Sequence, residues 1–393
     1  MSVRTLQDAF EPPYRGNPLE SFTFGPGGIE SLLTQESATF SIEVDVVVSE
    51  EVVLAVNKQI REMRWTRTDN GGKSGKQSQR SYVKERYLRY RIEMEIIPKS
   101  GILRVSDEYL TALRSDGKPT GKRKPFLERV KNRLHLRMEG QAHPTYHEQY
   151  LQESILSRPL YPPHYPHMVA MRQELSRWFF FYFEPRERMR APNPVKEVRH
   201  IGSMGEELAS FLNTLKTLEP RQFNAVEKAL RMMIPSITGI DVKVNHLGQV
   251  ELKLLEGDVP IPASLVSEGT LRMLGLLTLS GVRESASLLG FEEPENGVQP
   301  RRIELIARYL QTQEAIGKTQ IIATTHSPVL AELMRHKSLY VCSKTKSETK
   351  IRPFTKSVSF WGALSRTRSV DRALEEELDT SVSELMLSGD LDA

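Results

Sequence analysis

The stretch Leu288-Leu289-Gly290-Phe291-Glu292-Glu293-Pro294-Glu295-Asn296 decides the fold. Its apolar run, which ends in two adjacent carboxylates and a proline, predicts a buried strand with Glu292 and Glu293 at its carboxyl end. Hydrolysis of a nucleoside triphosphate needs a magnesium ion and a positioned water, and two such carboxylates can hold the first and activate the second. The pair alone fits equally well two ordinary surface acids that follow a core strand.

Two further segments carry residue types that phosphate chemistry uses. Ser267-Glu268-Gly269 precedes an apolar helix, whose free N–H groups and positive dipole end can bind phosphate, although serine is also a common structural cap. His326 follows a second predicted strand, Gln320–Thr324. An imidazole there can contact a phosphate or hold the attacking water, although a lone histidine at such a position is more often structural. The order of the segments predicts that His326 lies on the strand beside Glu292 and Glu293.

These three elements, in this order, resemble the C-terminal half of an ABC-type ATPase head of the RecF/SMC-like kind, in the broad group of bacterial AAA-family ATPases. Residues 265–274 resemble its signature loop and helix, residues 288–296 its Walker B strand with the start of the D-loop, and His326 its switch histidine. Two departures are visible: Glu292 stands where many relatives carry Asp, and the signature reads Ser-Glu-Gly instead of Ser-Gly-Gly.

The resemblance implies an α/β fold, an ABC/RecF-like P-loop NTPase core with a parallel sheet and flanking helices, plus an antiparallel β-lobe and a helical insertion. It implies ATP and Mg²⁺ as cofactors and a homodimer that sandwiches ATP, with DNA and an accessory effector protein as further partners in DNA repair or phage defence. The implied roles are metal binding by Glu292, catalysis by Glu293 and His326, and nucleotide binding by Ser267, Glu268, Gly269 and Asn296.

The pattern along the chain predicts four parts. Period-two alternation predicts strands at 40–46 and 87–96, helical spacing dominates the next hundred residues, and strands and helices alternate from residue 267 onward. The parts are a β-rich lobe (1–125), a helical insertion that forms a lid or arm (126–235), a C-terminal ATPase half (236–350) and a tail (351–393).

The phosphate-binding loop that this resemblance requires, G-x-x-x-x-G-K-[ST], is absent from the 393 residues. Gly71-Gly72-Lys73-Ser74 ends like one but has no preceding strand, and the stretch 24–31 lacks the lysine. We expect that Met1 falls downstream of such a loop, and that this chain alone binds ATP poorly. The alternative is a truncated, catalytically inactive fragment that acts only through protein contacts.

Composition excludes some classes of protein. The single cysteine, Cys342, excludes an internal disulfide, and the sequence has neither a signal peptide nor an apolar run long enough to cross a membrane, so we expect a cytoplasmic protein without a membrane partner. A net charge of +4 neither demands nor excludes a polyanion. Two basic groups can follow a phosphate backbone, although solvated loops are favoured: Arg64, Arg67, Lys73, Lys76, Arg80 and Lys84, then Lys118, Lys122, Arg123 and Lys124.

Overall fold

The computed structural model describes residues 33–34, 36–68, 82–121, 123–131, 133–139, 145–148, 153–279, 286–344, 349–354 and 381–388. The chain divides into two compact units, Met1–Trp178 and Phe179–Ala393. Both stretches that partly imitate a phosphate-binding loop, 71–74 and 24–31, lie outside the described residues.

The first unit is built on a six-stranded antiparallel sheet whose strands follow one another in chain order. The strands are β1 (Ala38–Val47), β2 (Tyr87–Ile97), β3 (Ile102–Ala112), β4 (Leu127–Val130), β5 (Arg133–Leu136) and β6 (Thr145–Glu148). Alternate residues of β2 are buried, as expected for a strand with one face on a core. The predicted strands at 40–46 and 87–96 are thus β1 and β2.

Two helices cover the core face of this sheet, α1 (Glu50–Thr68) and α2 (Pro166–Leu175). Helix α1 buries Val52, Val56 and Ile60, which recur at a spacing of four residues. Helix α1 was not predicted from the sequence.

A buried carboxyl group ties the sheet to the segment before α2. Glu108 is fully buried and accepts hydrogen bonds from Tyr90 Oη (2.9 Å) and from the backbone N–H groups of Ile155 (2.6 Å) and Leu156 (3.1 Å). Burial raises the pKa of Glu108 from 4.5 to about 7, although these donors favour the charged form. The folded protein therefore takes up a proton on Glu108 more readily than the unfolded chain does.

This pKa shift predicts that Glu108 makes the protein less stable as the pH rises from about 4.5 to about 7, with no further change above that range. Raising the pH from about 5 to about 8 should lower the free energy of unfolding by about 2–3 kcal/mol more in the wild type than in Glu108→Gln. Urea unfolding of both proteins at the two pH values measures the difference. Equal pH dependence in the two proteins would remove Glu108 as its source.

The second unit contains three small sheets and the helices that cover them. Its elements are β7 (Trp178–Phe181), β8 (Asn193–Pro194), α3 (Leu208–Leu218), α4 (Pro220–Met233), β9 (Gly239–Val244), β10 (Gln249–Glu256), β11 (Val259–Pro262), α5 (Glu268–Thr278), β12 (Leu288–Glu292), α6 (Pro300–Ile316), β13 (Gln320–Thr324), α7 (Pro328–Leu333), β14 (Tyr340–Lys344), β15 (Thr349–Pro353) and α8 (Val382–Ser388). Strands β8 to β11 form one sheet, β13-β12-β7 a second, and β14-β15 a third. One continuous core joins α3, α4 and α5 to β10 and β12.

The domain boundaries differ from those predicted. Residues 126–235 do not form one helical insertion, because β4, β5 and β6 extend the sheet of the first unit while α3 and α4 belong to the core of the second. The predicted alternation of strands and helices from residue 267 does not continue as a parallel sheet beyond α7, because β14 pairs antiparallel with β15. Among the described residues, no helix is both long and apolar enough to cross a membrane.

Candidate active site

Parallel pairing of β12 and β13 places the predicted site residues at one sheet edge. The register runs from Leu288 opposite Gln320 to Glu292 opposite Thr324. The first four residues of β12 are buried and its last residue, Glu292, is exposed. Since the carboxyl ends of parallel strands meet at the same edge, the two carboxylates emerge beside the segment that carries His326.

Glu293 is the centre of a small polar group. Its backbone N–H donates to the carbonyl oxygen of Thr324 (3.0 Å), and one carboxylate oxygen lies 3.6 Å from His326 Nε2. Asn296 Nδ2 donates to the other oxygen at 3.4 Å. The Glu293 side chain is 35% exposed and that of His326 is 92% exposed, so both remain accessible to a ligand.

The backbone of Glu293 adopts φ = 45°, in the left-handed region that side chains other than glycine rarely occupy. This conformation turns the chain sharply after β12 and directs successive carboxylates differently. Such strained positions occur preferentially at functional sites, where the surrounding structure holds them.

The start of helix α5 lies against the loop that follows β12. Ser267 caps the helix: its Oγ accepts the N–H of Thr270 (3.3 Å) and donates to Thr270 Oγ1 (2.9 Å). A Cβ placed on Gly269 would lie 2.5 Å from the carbonyl oxygen of Gly297. The predicted signature helix and the predicted D-loop are therefore in direct backbone contact, and only glycine fits at position 269.

A cation that the sequence analysis missed, Arg272, lies behind this contact. It is half-buried, and its Nε has no hydrogen-bond acceptor among the described residues. Burial lowers the pKa of Arg272, while the negative charges of Glu268, Glu184, Glu293 and Glu295 oppose that shift. Arg272 thus lies among carboxylates that include Glu293, the residue directly after β12.

Glu295, also missed, ties the turn after β12 to the segment of His326. It is buried, accepts a hydrogen bond from Thr325 Oγ1, and leaves Oε2 without a partner within the described residues. Thr325 Oγ1 in turn accepts the N–H of Ser327 at 2.9 Å. A carboxylate directly after Pro294 was the available sequence signal, but its burial arises only from the tertiary fold.

The structure thus brings Glu292, Glu293, Asn296 and His326 to one edge, with Ser267, Glu268 and Gly269 at the start of the neighbouring helix. Among the described residues, no group of three or more His, Cys, Asp or Glu side chains forms a metal cage.

Residues 79–332 match the protein family described as "AAA domain, putative AbiEii toxin, Type IV TA system". The chain belongs to this AAA family. The match covers more than half of the 393 residues and includes every predicted site residue. Membership assigns the chain to the AAA-family ATPases.

Comparison of this AAA-family chain with solved structures finds heads of SMC proteins. An SMC head bound to the C-terminal winged-helix domain of ScpA has a TM-score of 0.39 at 10% identity, covering 81% of this chain and 74% of that one. The SMC head domain of Thermotoga maritima has a TM-score of 0.29 at 10% identity, covering 68% and 74%. An SMC head of Pyrococcus furiosus with an extended coiled coil has a TM-score of 0.30 at 13% identity, covering 40% of each chain. No curated protein matches the sequence.

The contact of Gly269 with the Gly297 carbonyl predicts that Gly269→Ala lowers the free energy of unfolding by about 1–3 kcal/mol, because backbone must move to admit the methyl group. Gly275→Ala, in the same helix, is the matched control. Its Cβ would meet the flexible end of Met189 at 2.8 Å and the ring of Phe183 at 3.1 Å, two side chains and no backbone, so we expect a smaller loss. Urea unfolding measures both variants, and equal losses would contradict the close approach at position 269.

The backbone conformation of Glu293 predicts that Glu293→Gly is more stable than Glu293→Ala by about 1 kcal/mol, because glycine accepts a positive φ without strain. The same pair of substitutions at Glu292, which lies in β12, should give the opposite order. Thermal or urea unfolding of the four variants measures the difference in stability between glycine and alanine at each position. If alanine is preferred at both positions, the left-handed turn at Glu293 is not present in solution.

Proposed function

We propose that this AAA-family chain carries the hydrolytic half of an ATP site. The observation that carries the proposal is the group formed by Glu293, His326 and Asn296 at the carboxyl edge of β12 and β13. Glu293 acts as the general base that accepts a proton from the attacking water. His326, two residues after the end of β13, contacts the terminal phosphate.

Magnesium fits the donor set at this edge. Glu292 is an exposed carboxylate at the end of a buried strand, and carboxylate oxygen is a ligand that Mg²⁺ prefers. This ion usually keeps several waters and takes only one or two protein carboxylates, so a cage of side chains is not required. Bound there, the ion would neutralise charge on the phosphate oxygens, while Glu293 remains free to act on water.

The proposal also needs a phosphate-binding loop of the kind that these 393 residues lack. Strand β13 offers a place for it, because among the described residues it lies at the edge of the sheet order β13-β12-β7 and its Ile322 is 50% exposed. A parallel strand paired with β13 would end at the same edge as Glu293 and His326. A loop following that strand would reach the phosphates from the side opposite β12.

The start of α5 supports a second phosphate contact. Ser267, Glu268 and Gly269 present the amino end of an eleven-residue helix, where free N–H groups and the helix dipole favour anions. We propose that this end binds the nucleotide held by a second copy of the protein, so that ATP joins a homodimer. Asn296 and Gly297 then lie between the two proposed phosphate contacts: Asn296 contacts Glu293, and Gly297 contacts Gly269 at the start of α5.

The role of Glu293 predicts a specific kinetic result. In a form of the protein that binds Mg-ATP, Glu293→Gln should lower turnover by a factor of about 10²–10⁴, retain nucleotide binding, and accumulate an ATP-bound dimer. Turnover and size-exclusion chromatography with light scattering measure both effects. The matched control is Glu304→Gln, which removes an exposed acid that pairs with Arg308 on α6.

Two outcomes separate the assignments within the site. Undiminished turnover in Glu293→Gln would remove Glu293 from the mechanism, whereas lost Mg²⁺-dependent binding in Glu292→Gln alone would support the metal role of Glu292. A form of the protein that binds no nucleotide under any condition would favour the alternative of a catalytically inactive protein that acts only through protein contacts.

We further propose a cytoplasmic location, with DNA or an accessory effector protein as partner in DNA repair or phage defence.

A further inference from the structure

One end of the six-stranded sheet collects exposed cations from two segments that are distant in sequence. The segment 82–86 precedes β2, and the connection 113–126 joins β3 to β4. The two meet where Leu113 N–H donates to the carbonyl oxygen of Tyr87 (2.8 Å) and Arg123 lies 3.9 Å from Glu85. We call the exposed cations of this region the basic end: Lys84, Arg86, Arg114, Lys118 and Lys124.

The nearby acids are already engaged by arginines. Arg123 pairs with Glu85 (3.9 Å) and with Glu139 (2.6 Å), and Arg114 pairs with Asp116 (3.3 Å). Within the part of the chain that the structure describes, no carboxylate pairs with the three lysines of the basic end. Their charges are therefore directed to solvent and not neutralised by the protein.

A buried network fixes the position of these lysines. His167 is fully buried, and its Nε2 accepts the backbone N–H groups of both Lys84 and Glu85 at 3.0 Å. Its Nδ1 lies 2.6 Å from Glu139, which also binds Arg123, and Arg123 stacks over Phe126 at 4.4 Å. The backbone at Lys84 and beside Lys124 is thus held in place, so binding a partner orders the lysine side chains but not the backbone that carries them.

We propose that the basic end binds the phosphate backbone of a duplex nucleic acid. Several exposed lysine ammonium groups carried by adjoining segments suit a polyanion, and their contacts with phosphates release counterions from it. The nearby rings Tyr161 and Tyr165 pack edge-on against His164 and not as a platform for stacked bases, which favours backbone contact over base reading. The basic end would bind the DNA partner of the proposed function, and the choice of a nucleic acid rests on that function. Binding at the basic end does not require ATP hydrolysis.

The test compares a triple variant of the basic end, Lys84→Gln with Lys118→Gln and Lys124→Gln, with the wild type in the absence of nucleotide. Fluorescence anisotropy with a short labelled DNA duplex, and with an RNA duplex of the same length, gives the affinity between about 50 and 200 mM salt. We expect binding about tenfold weaker or more, and a salt dependence (log Kd against log salt) lower by about 3. DNA and RNA duplexes should both bind, because the phosphate backbone is common to them.

The matched control removes three exposed cations from helix α4 of the other unit: Arg221→Gln, Lys228→Gln and Arg231→Gln. This variant changes the net charge by the same amount and should bind duplexes within about twofold of the wild type.

Three results would overturn the proposal: an equal loss of duplex affinity in the two variants, no loss in the variant of the basic end, or a wild type that binds no duplex at low salt. Binding to anionic vesicles in preference to duplexes would assign the surface to a membrane and also overturn it. A separate measurement of ATP binding by the wild type and the triple variant distinguishes failure of the proposed ATP site from failure of duplex binding at the basic end.

Discussion

The parallel pairing of β12 with β13 is the interaction on which the candidate site depends. It holds Glu292 opposite Thr324, so that the residues after the two strands, Glu293 and His326, come within 3.6 Å of each other. A shift of one residue in this register would turn each side chain to the opposite face and separate the two groups. The buried run of β12 stabilises the register, since its apolar side chains pack in the core of the second unit.

Two other contacts connect the segments at the carboxyl edge of β12 and β13. Gly269 approaches the carbonyl of Gly297 so closely that the start of α5 and the loop after β12 must move together. Glu295 joins the same loop to Thr325, next to His326. In the proposed dimer, a ligand bound at the start of α5 would act on the segment that carries the carboxylates, and these contacts would couple the two nucleotide sites.

The sequence predicted this edge better than it predicted the first unit. Apolar runs that end in polar residues identify β12 and β13, and a serine before an apolar helix identifies α5, because these signals are local. The strands β4 and β5 are only four residues long, and their alternation is too short to be distinguished from a helical segment. Their omission led directly to the wrong boundary at residue 126.

The site residues that the sequence did not predict depend on tertiary structure. In the sequence, Arg272 is a single polar residue in an apolar helix, and its carboxylate neighbours are brought to it only by the fold. The burial of Glu295 and the positive φ of Glu293 are likewise set by the packing of the turn, not by residue type. The 393 residues contain no G-x-x-x-x-G-K-[ST] motif, and a phosphate-binding loop supplied beside β13 remains a proposal.

The most direct test is equilibrium binding of Mg-ATP to two proteins. One is the 393-residue chain, and the other is the same chain fused at its amino end to a strand and a G-x-x-x-x-G-K-[ST] loop. Each charge-assisted hydrogen bond to phosphate contributes about 1.5–3 kcal/mol, so we expect the first protein to bind several orders of magnitude more weakly than the second. Micromolar binding by the 393-residue chain alone, or equally weak binding by both proteins, would contradict the proposal that a phosphate-binding loop beside β13 completes the site.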